Sequence, residues 1–219
     1  MSKTITVKGT GNVSVRPDYV VISMELESKH EIYDKAMELA ADNIALLTDT
    51  LVNAGFEKEA IKTTNFNVNS DYDSYRDKDG NYKTVFEGYK VSHRLKIEFE
   101  FDSSRLSKAL SAIGSCLARP ELRIAFTVKD TTPIEEEMLR TAAANARRKA
   151  EILCDASGKK LGELLMIDYK WGRINIYSDT CYSLGDACME DCSMMERSID
   201  IEPDDISASD TATFVWEIV

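Results

Sequence analysis

Long apolar runs are missing from this chain of 219 residues. No stretch approaches the roughly 18 consecutive apolar residues of a membrane-spanning helix. The amino-terminal MSKTITVKGTG has neither an apolar core segment nor a small-residue cleavage site, so no signal peptide is read and a cytoplasmic location is expected. Bases are outnumbered, 27 Lys and Arg against 38 Asp and Glu, for a net charge of −11. That balance argues against nucleic acid and anionic membranes as partners. Histidine is scarce: His30 and His93 are the two in the chain, 63 positions apart. Neither sits in an H-E-x-x-H pattern, and the chain has no G-x-S-x-G and no Walker loop. No catalytic residue and no cofactor are assigned, and a non-enzymatic role is expected.

What is present suits a folded domain. The chain is 43% hydrophobic and 30% charged, and a chain this long buries roughly 70% of its unfolded surface without covalent staples. Thr4 to Lys8 reads as a short strand ended by a turn at GTGN. Phosphate cradling needs a helix after such glycines, and a strand follows here. In that strand Val20, Ile22, Met24 and Leu26 alternate with the residues between them. Ile32, Ala36, Ala40, Ile44, Leu47 and Leu51 then recur at helical spacing up to Gly55, a helix of about 31–54. A hairpin of two long strands follows, turned at Asp79-Gly80, with Leu95, Ile97, Phe99 and Phe101 inward on its second strand.

Asp102 caps a second helix with the stripe Leu106, Ala109, Leu110, Ile113 and Leu117. A strand carries Leu122, Ile124, Phe126 and Val128 inward. Thr132, Pro133 and Glu135 form a capping box on a third helix, which runs through Met138, Ala142, Ala146, Ala150 and Leu153 to Gly158. A strand from about Leu164 to Tyr177 and a last strand from Ile206 to Ile218 complete the chain. The expected class is α+β: a largely antiparallel sheet with three helices packed on one face. One domain, 1–219, is expected, with an acidic Cys/Met-rich loop inserted at about 179–205.

That insertion holds nine acids against one base, Arg197, a local charge of −8. Its core is CYSLGDACMEDCSMM, with Cys181, Cys188 and Cys192 as three thiolate candidates and Met189, Met194 and Met195 as thioethers. Such ligands suit copper(I) or zinc. Zinc sites, however, use tight pairs two to four residues apart and a fourth ligand, and neither histidine is near. The loop interpretation is preferred; redox-sensitive thiols and a soft-metal site at Cys181, Cys188 and Cys192 are the alternatives. Five cysteines, an odd number, are expected as free thiols. Cys154, and Cys116 with it, are read as small core residues. DYDSYRDKDG at 71–80 lacks the first and last carboxylates of an EF-hand loop and is read as a hairpin tip. Arg147, Arg148 and Lys149 belong to a solvated helix face near Glu151.

Three stretches in order, ITVKGTGNVSVRPDYVVISMELES, NARRKAEILCDASGKKLGELLMI and IEPDDISASDTATFVWEI, together with Gly9, Gly11, Pro17, Asp18 and Gly88-Tyr89, resemble the SIMPL domain family. This is a bacterial group that includes a periplasmic immunogenic antigen and proteins linked to oxidative-stress defence. The resemblance covers nearly the whole chain. It implies an α+β fold and a tendency to form homo-oligomers, and it carries no catalytic residues. The Cys/Met loop is no part of the family pattern. The expected function is that of a self-assembling structural or interaction module with a stress-related role. The alternative is a cytosolic thiol-based redox sensor or soft-metal-binding protein using the 181–192 cysteines.

Overall fold

A computed structural model describes residues 3–76, 80–170, 174–180, 182–184 and 201–219. Their elements run in the order β1 (Thr4–Val15), β2 (Tyr19–His30), α1 (Tyr33–Asn53), β3 (Lys62–Arg76), β4 (Tyr82–Glu100), α2 (Ser103–Gly114), β5 (Glu121–Thr127), α3 (Thr132–Ala156), β6 (Leu161–Asp168), β7 (Tyr182–Leu184) and β8 (Ile206–Ile218). The class is α+β with antiparallel pairing. Two sheets form instead of one, ordered β1-β8-β6 and β3-β4-β2-β5-β7. The helices are divided accordingly: α3 packs with β1 and β8, whereas α1 packs with β2 and β4. The chain separates into two compact units, 1–18 with 126–179 and 203–219, and 19–125 with 180–202.

In the first unit β1 runs straight through GTGN to Val15 and pairs with β8 over its full length, from Thr4 opposite Glu217 to Val15 opposite Ile206. The expected turn is therefore absent. Val7, Gly9, Gly11 and Val13 continue the period of two, and the glycines sit where the strand meets a helix. Val7, Ala146, Ala150, Ala212, Phe214 and Trp216 form one core cluster, with the Phe214 and Trp216 rings stacked 5.5 Å apart. Met138, Ile134, Ile206 and Ala208 belong to a second. The final strand is thus central in its sheet and its aromatic face is covered within the fold. β6 ends at Asp168, earlier than the spacing predicts.

In the second unit β2 buries Val20, Ile22, Met24 and Leu26, and β4 buries Val91, Leu95, Ile97 and Phe99. The stripe of α1 (Ala36, Ala40, Leu47 and Leu51) closes over them. The helix stops at Ala54, where Gly55 supplies a φ of +97°. Asn43 donates to the buried Ser28 hydroxyl at 3.0 Å, satisfying a polar group beneath the helix. Asp102 caps α2 as expected, accepting from the Arg105 amide at 2.6 Å. Two helical assignments change. Leu117 lies beyond α2 and is exposed, and Leu153 faces solvent while Cys154 is buried. The capping box of α3 does not form either: Thr131 is the cap residue, without a side-chain bond, and Asp130 accepts from the Thr132 amide.

Candidate interaction surfaces

Gly9 and Gly11 allow α3 to lie directly on β1. A side-chain carbon at Gly9 would collide with the Ala142 carbonyl and the Ala146 methyl, and one at Gly11 with the Met138 carbonyl. Small residues on the helix and glycines on the strand bring the two backbones together. The close approach has a second effect. Asn145 accepts from the Thr10 amide and Lys149 donates to the Lys8 carbonyl, both at 3.2 Å. The outer edge of β1 is therefore partly clothed by the helix, and Lys149, expected on a solvated face, serves as an edge clamp. Arg147 pairs with Glu151 at 3.0 Å, as its spacing suggests.

At the other edge of this sheet, β6 has no strand beyond it among the described residues. Leu164, Leu165, Met166 and Ile167 are all 47–55% exposed, so neither side of the strand is fully covered. Register shifts between Leu161 and Leu164 and between Leu164 and Met166 mark irregular pairing with β8. Just past the strand, the Tyr169 hydroxyl donates to Asp210 at 2.6 Å. This bond, with lesser burial and charge effects, raises the phenol to about 12.

The second unit carries a two-stranded ribbon. β3 and β4 pair from Lys62–Lys96 out to Arg76–Tyr82, whereas β2 ends at His30 opposite Tyr89. Beyond that point the ribbon has no third strand among the described residues. One of its faces continues the surface that α1 covers through Ala36, Ala40 and Val91. A chain of edge-to-face rings runs along it: Tyr33–Tyr89 at 5.3 Å, Tyr89–Phe86 at 5.3 Å and Phe86–Tyr72 at 5.5 Å. Further out, the Arg76 guanidinium lies over Tyr82. Tyr72, Tyr82 and Phe86 are exposed. The opposite face is polar and ion-paired, with Glu25–Arg94 at 2.8 Å, Glu27–Lys90 at 2.5 Å and Lys29–Asp71 at 2.9 Å.

A shallow cleft of about 480 Å³ opens where β2 stops, lined by Lys29, His30, Glu31, Asp71, Glu87, Gly88 and Tyr89. Lys29 pairs with Asp71 at 2.9 Å, and Glu31 and Glu87 leave the lining acidic. The hydrogen bond from Lys29 holds the Asp71 carboxyl below its usual range, and the same bond raises Lys29. His30 Nδ1 accepts from the Ile32 amide at 2.9 Å. Gly88, at a φ of +145°, passes against the His30 carbonyl where a side chain would clash. The other histidine, His93, stacks edge-on against Phe66 and contacts the Thr63 hydroxyl at 2.9 Å, and partial burial lowers it. Among the described residues no three His, Cys, Asp or Glu side chains gather as a cation site.

Cys116 and Cys154 are buried free thiols, Cys116 accepting a 3.7 Å bond from Thr50. The metal or redox candidates Cys181, Cys188 and Cys192 lie outside the described residues, as does Asp79 of the hairpin tip, where Gly80 takes a φ of +84°. No helix among the described residues is long and apolar enough to cross a membrane.

Fold and surfaces together define an α+β protein whose outward features are strand edges and apolar faces. A family profile described as "SIMPL: Protein of unknown function (DUF541)" matches residues 5–216, and the chain belongs to this family. Among its relatives is the 26 kDa periplasmic immunogenic protein of Brucella melitensis, 23% identical over 163 residues. That match covers 74% of this chain and 65% of the relative. The protein of the same name from Brucella abortus gives the same identity and coverage. The mouse interleukin-1 receptor-associated kinase 1-binding protein 1 is 22% identical over 76% of this chain and 60% of its own length. The chain thus spans less than two thirds of the length of these relatives.

Proposed function

We propose that the protein is a non-enzymatic interaction module that acts by self-assembly. The observation that carries this is the apolar surface left open on strands, above all Leu164–Ile167 of β6. Contiguous exposed apolar surface marks protein contacts, membrane contacts or ligand grooves. The aromatic face of the ribbon supports the same reading, because two strands alone are marginally stable in water. The mouse relative is named for binding a kinase, which suits an interaction role. A stress-related role rests on the family resemblance, and survival of a deletion strain under peroxide tests it. The names of two relatives favour export over the cytoplasmic location expected from the amino-terminal residues, and cell fractionation decides between the two. Sedimentation velocity of the reduced protein across the micromolar range tests self-assembly. A mass that grows with concentration supports it, and one fixed at the 24.6 kDa of the single chain contradicts it.

A further inference from the structure

We propose that the self-association surface is the open edge of β6, and that a second copy of this chain pairs with it antiparallel about a two-fold axis near Leu164. This would join two three-stranded sheets into one of six strands. The proposal rests on the self-assembly reading and names the surface it uses.

An edge strand exposes a row of unpaired amide and carbonyl groups, and another extended strand can satisfy them in series. Proteins blunt such edges with cover, brevity or polar residues. β1 is clamped by Asn145 and Lys149. β7 has three residues. β3 carries Asn65, Asn67, Asn69, Asp71 and Asp73 at alternate positions. β6 has no proline, and its central four residues are Leu164, Leu165, Met166 and Ile167, with charges only at Glu163 and Asp168. Among the described residues its irregular register with β8 adds some protection. That irregularity leaves the apolar residues exposed.

Charge selects the occupant. Lys160 lies four positions before Leu164 and Asp168 four positions after it. Both are exposed. An antiparallel pairing centred on Leu164 puts Lys160 of each copy opposite Asp168 of the other, twice per dimer. It also places Leu161 across from Ile167 and Gly162 across from Met166. A surface that complements itself in this way is what a two-fold, isologous interface requires, and opposite charges facing across strands stabilise the pairing. An unrelated apolar segment would gain nothing from this arrangement.

A charge swap gives the test. Sedimentation velocity is run on the full chain and on Lys160→Asp, Asp168→Lys and the double variant, with circular dichroism as the check on folding. Each single variant creates two like-charged contacts per dimer and is expected to weaken association about tenfold. The double variant restores opposite charges and is expected to return to within about threefold of the parent. Met166→Lys, which puts charge in the middle of the strand, is expected to be monomeric at concentrations where the parent associates. Association unchanged in the single variants, or not recovered in the double, overturns the β6 pairing while self-assembly stands. A parent that is monomeric throughout overturns both.

Discussion

A methyl group at Gly11 has nowhere to go. It would meet the Met138 carbonyl of α3, a backbone group that cannot swing aside. Gly11→Ala is therefore expected to destabilise by about 1–3 kcal/mol, as overpacking does, and urea unfolding measures it. A neutral result would mean that α3 does not rest on β1 at this point. Tyr169 gives a pH signature. Its folded phenol is raised from about 10 to about 12 by its bond to Asp210. A raised group contributes stability fully below its unfolded value and loses it as pH rises through the folded one. Stability is expected to fall between pH 10 and about 12, more steeply in the parent than in Tyr169→Phe. Equal slopes in the two proteins would contradict the bond. Cys188 tests the alternative chemistry. Asp186, Glu190 and Asp191 lie within three positions of it in sequence, and nearby acids repel a thiolate. Thiol titration and elemental analysis are expected to show slow free thiols and substoichiometric metal. One metal per chain that is lost in Cys188→Ser would promote the metal-binding alternative.

At the scale of elements, helix α1 is where sequence and packing agree best. Its predicted stripe supplies Ala36, Ala40, Leu47 and Leu51, all buried, whereas Ile32 is exposed and precedes the helix. Leu47→Ala is expected to cost about 2–5 kcal/mol by opening a cavity above the sheet. A loss below about 1 kcal/mol in thermal or urea unfolding would mean that the buried face is wrong. Strands were less legible. Periodicity tells which side of a strand is buried, but not which strand lies beside it. β1 pairs with β8 from the far end of the chain, and α3 lies between them in sequence. Nothing local reveals that these strands form their own sheet. The glycines of GTGN suggest a turn because glycine usually breaks strands. The alternation of Val7, Gly9, Gly11, Val13 and Val15 was the available signal for an unbroken one. For β6, four apolar residues in a row read as a strand covered on both faces, and nothing local reveals that Leu164–Ile167 are left exposed. The three loop cysteines were legible as candidates, but lie outside the described residues.

For the whole molecule, charge and apolar surface occupy different parts of the chain. Of the net −11, −8 is concentrated in 179–205, and like charges at that density repel across a symmetric contact. Leu164–Ile167 and the ribbon aromatics Tyr72, Tyr82 and Phe86 belong to other segments, so assembly through strands need not oppose the acidic segment. Self-assembly is the proposed mode of action. The measurement that bears on it most directly is native mass spectrometry of the reduced, metal-free full chain at micromolar concentration. Species at whole-number multiples of 24.6 kDa that shift to the single-chain mass in Met166→Lys are expected. A parent protein found only at 24.6 kDa would contradict self-assembly.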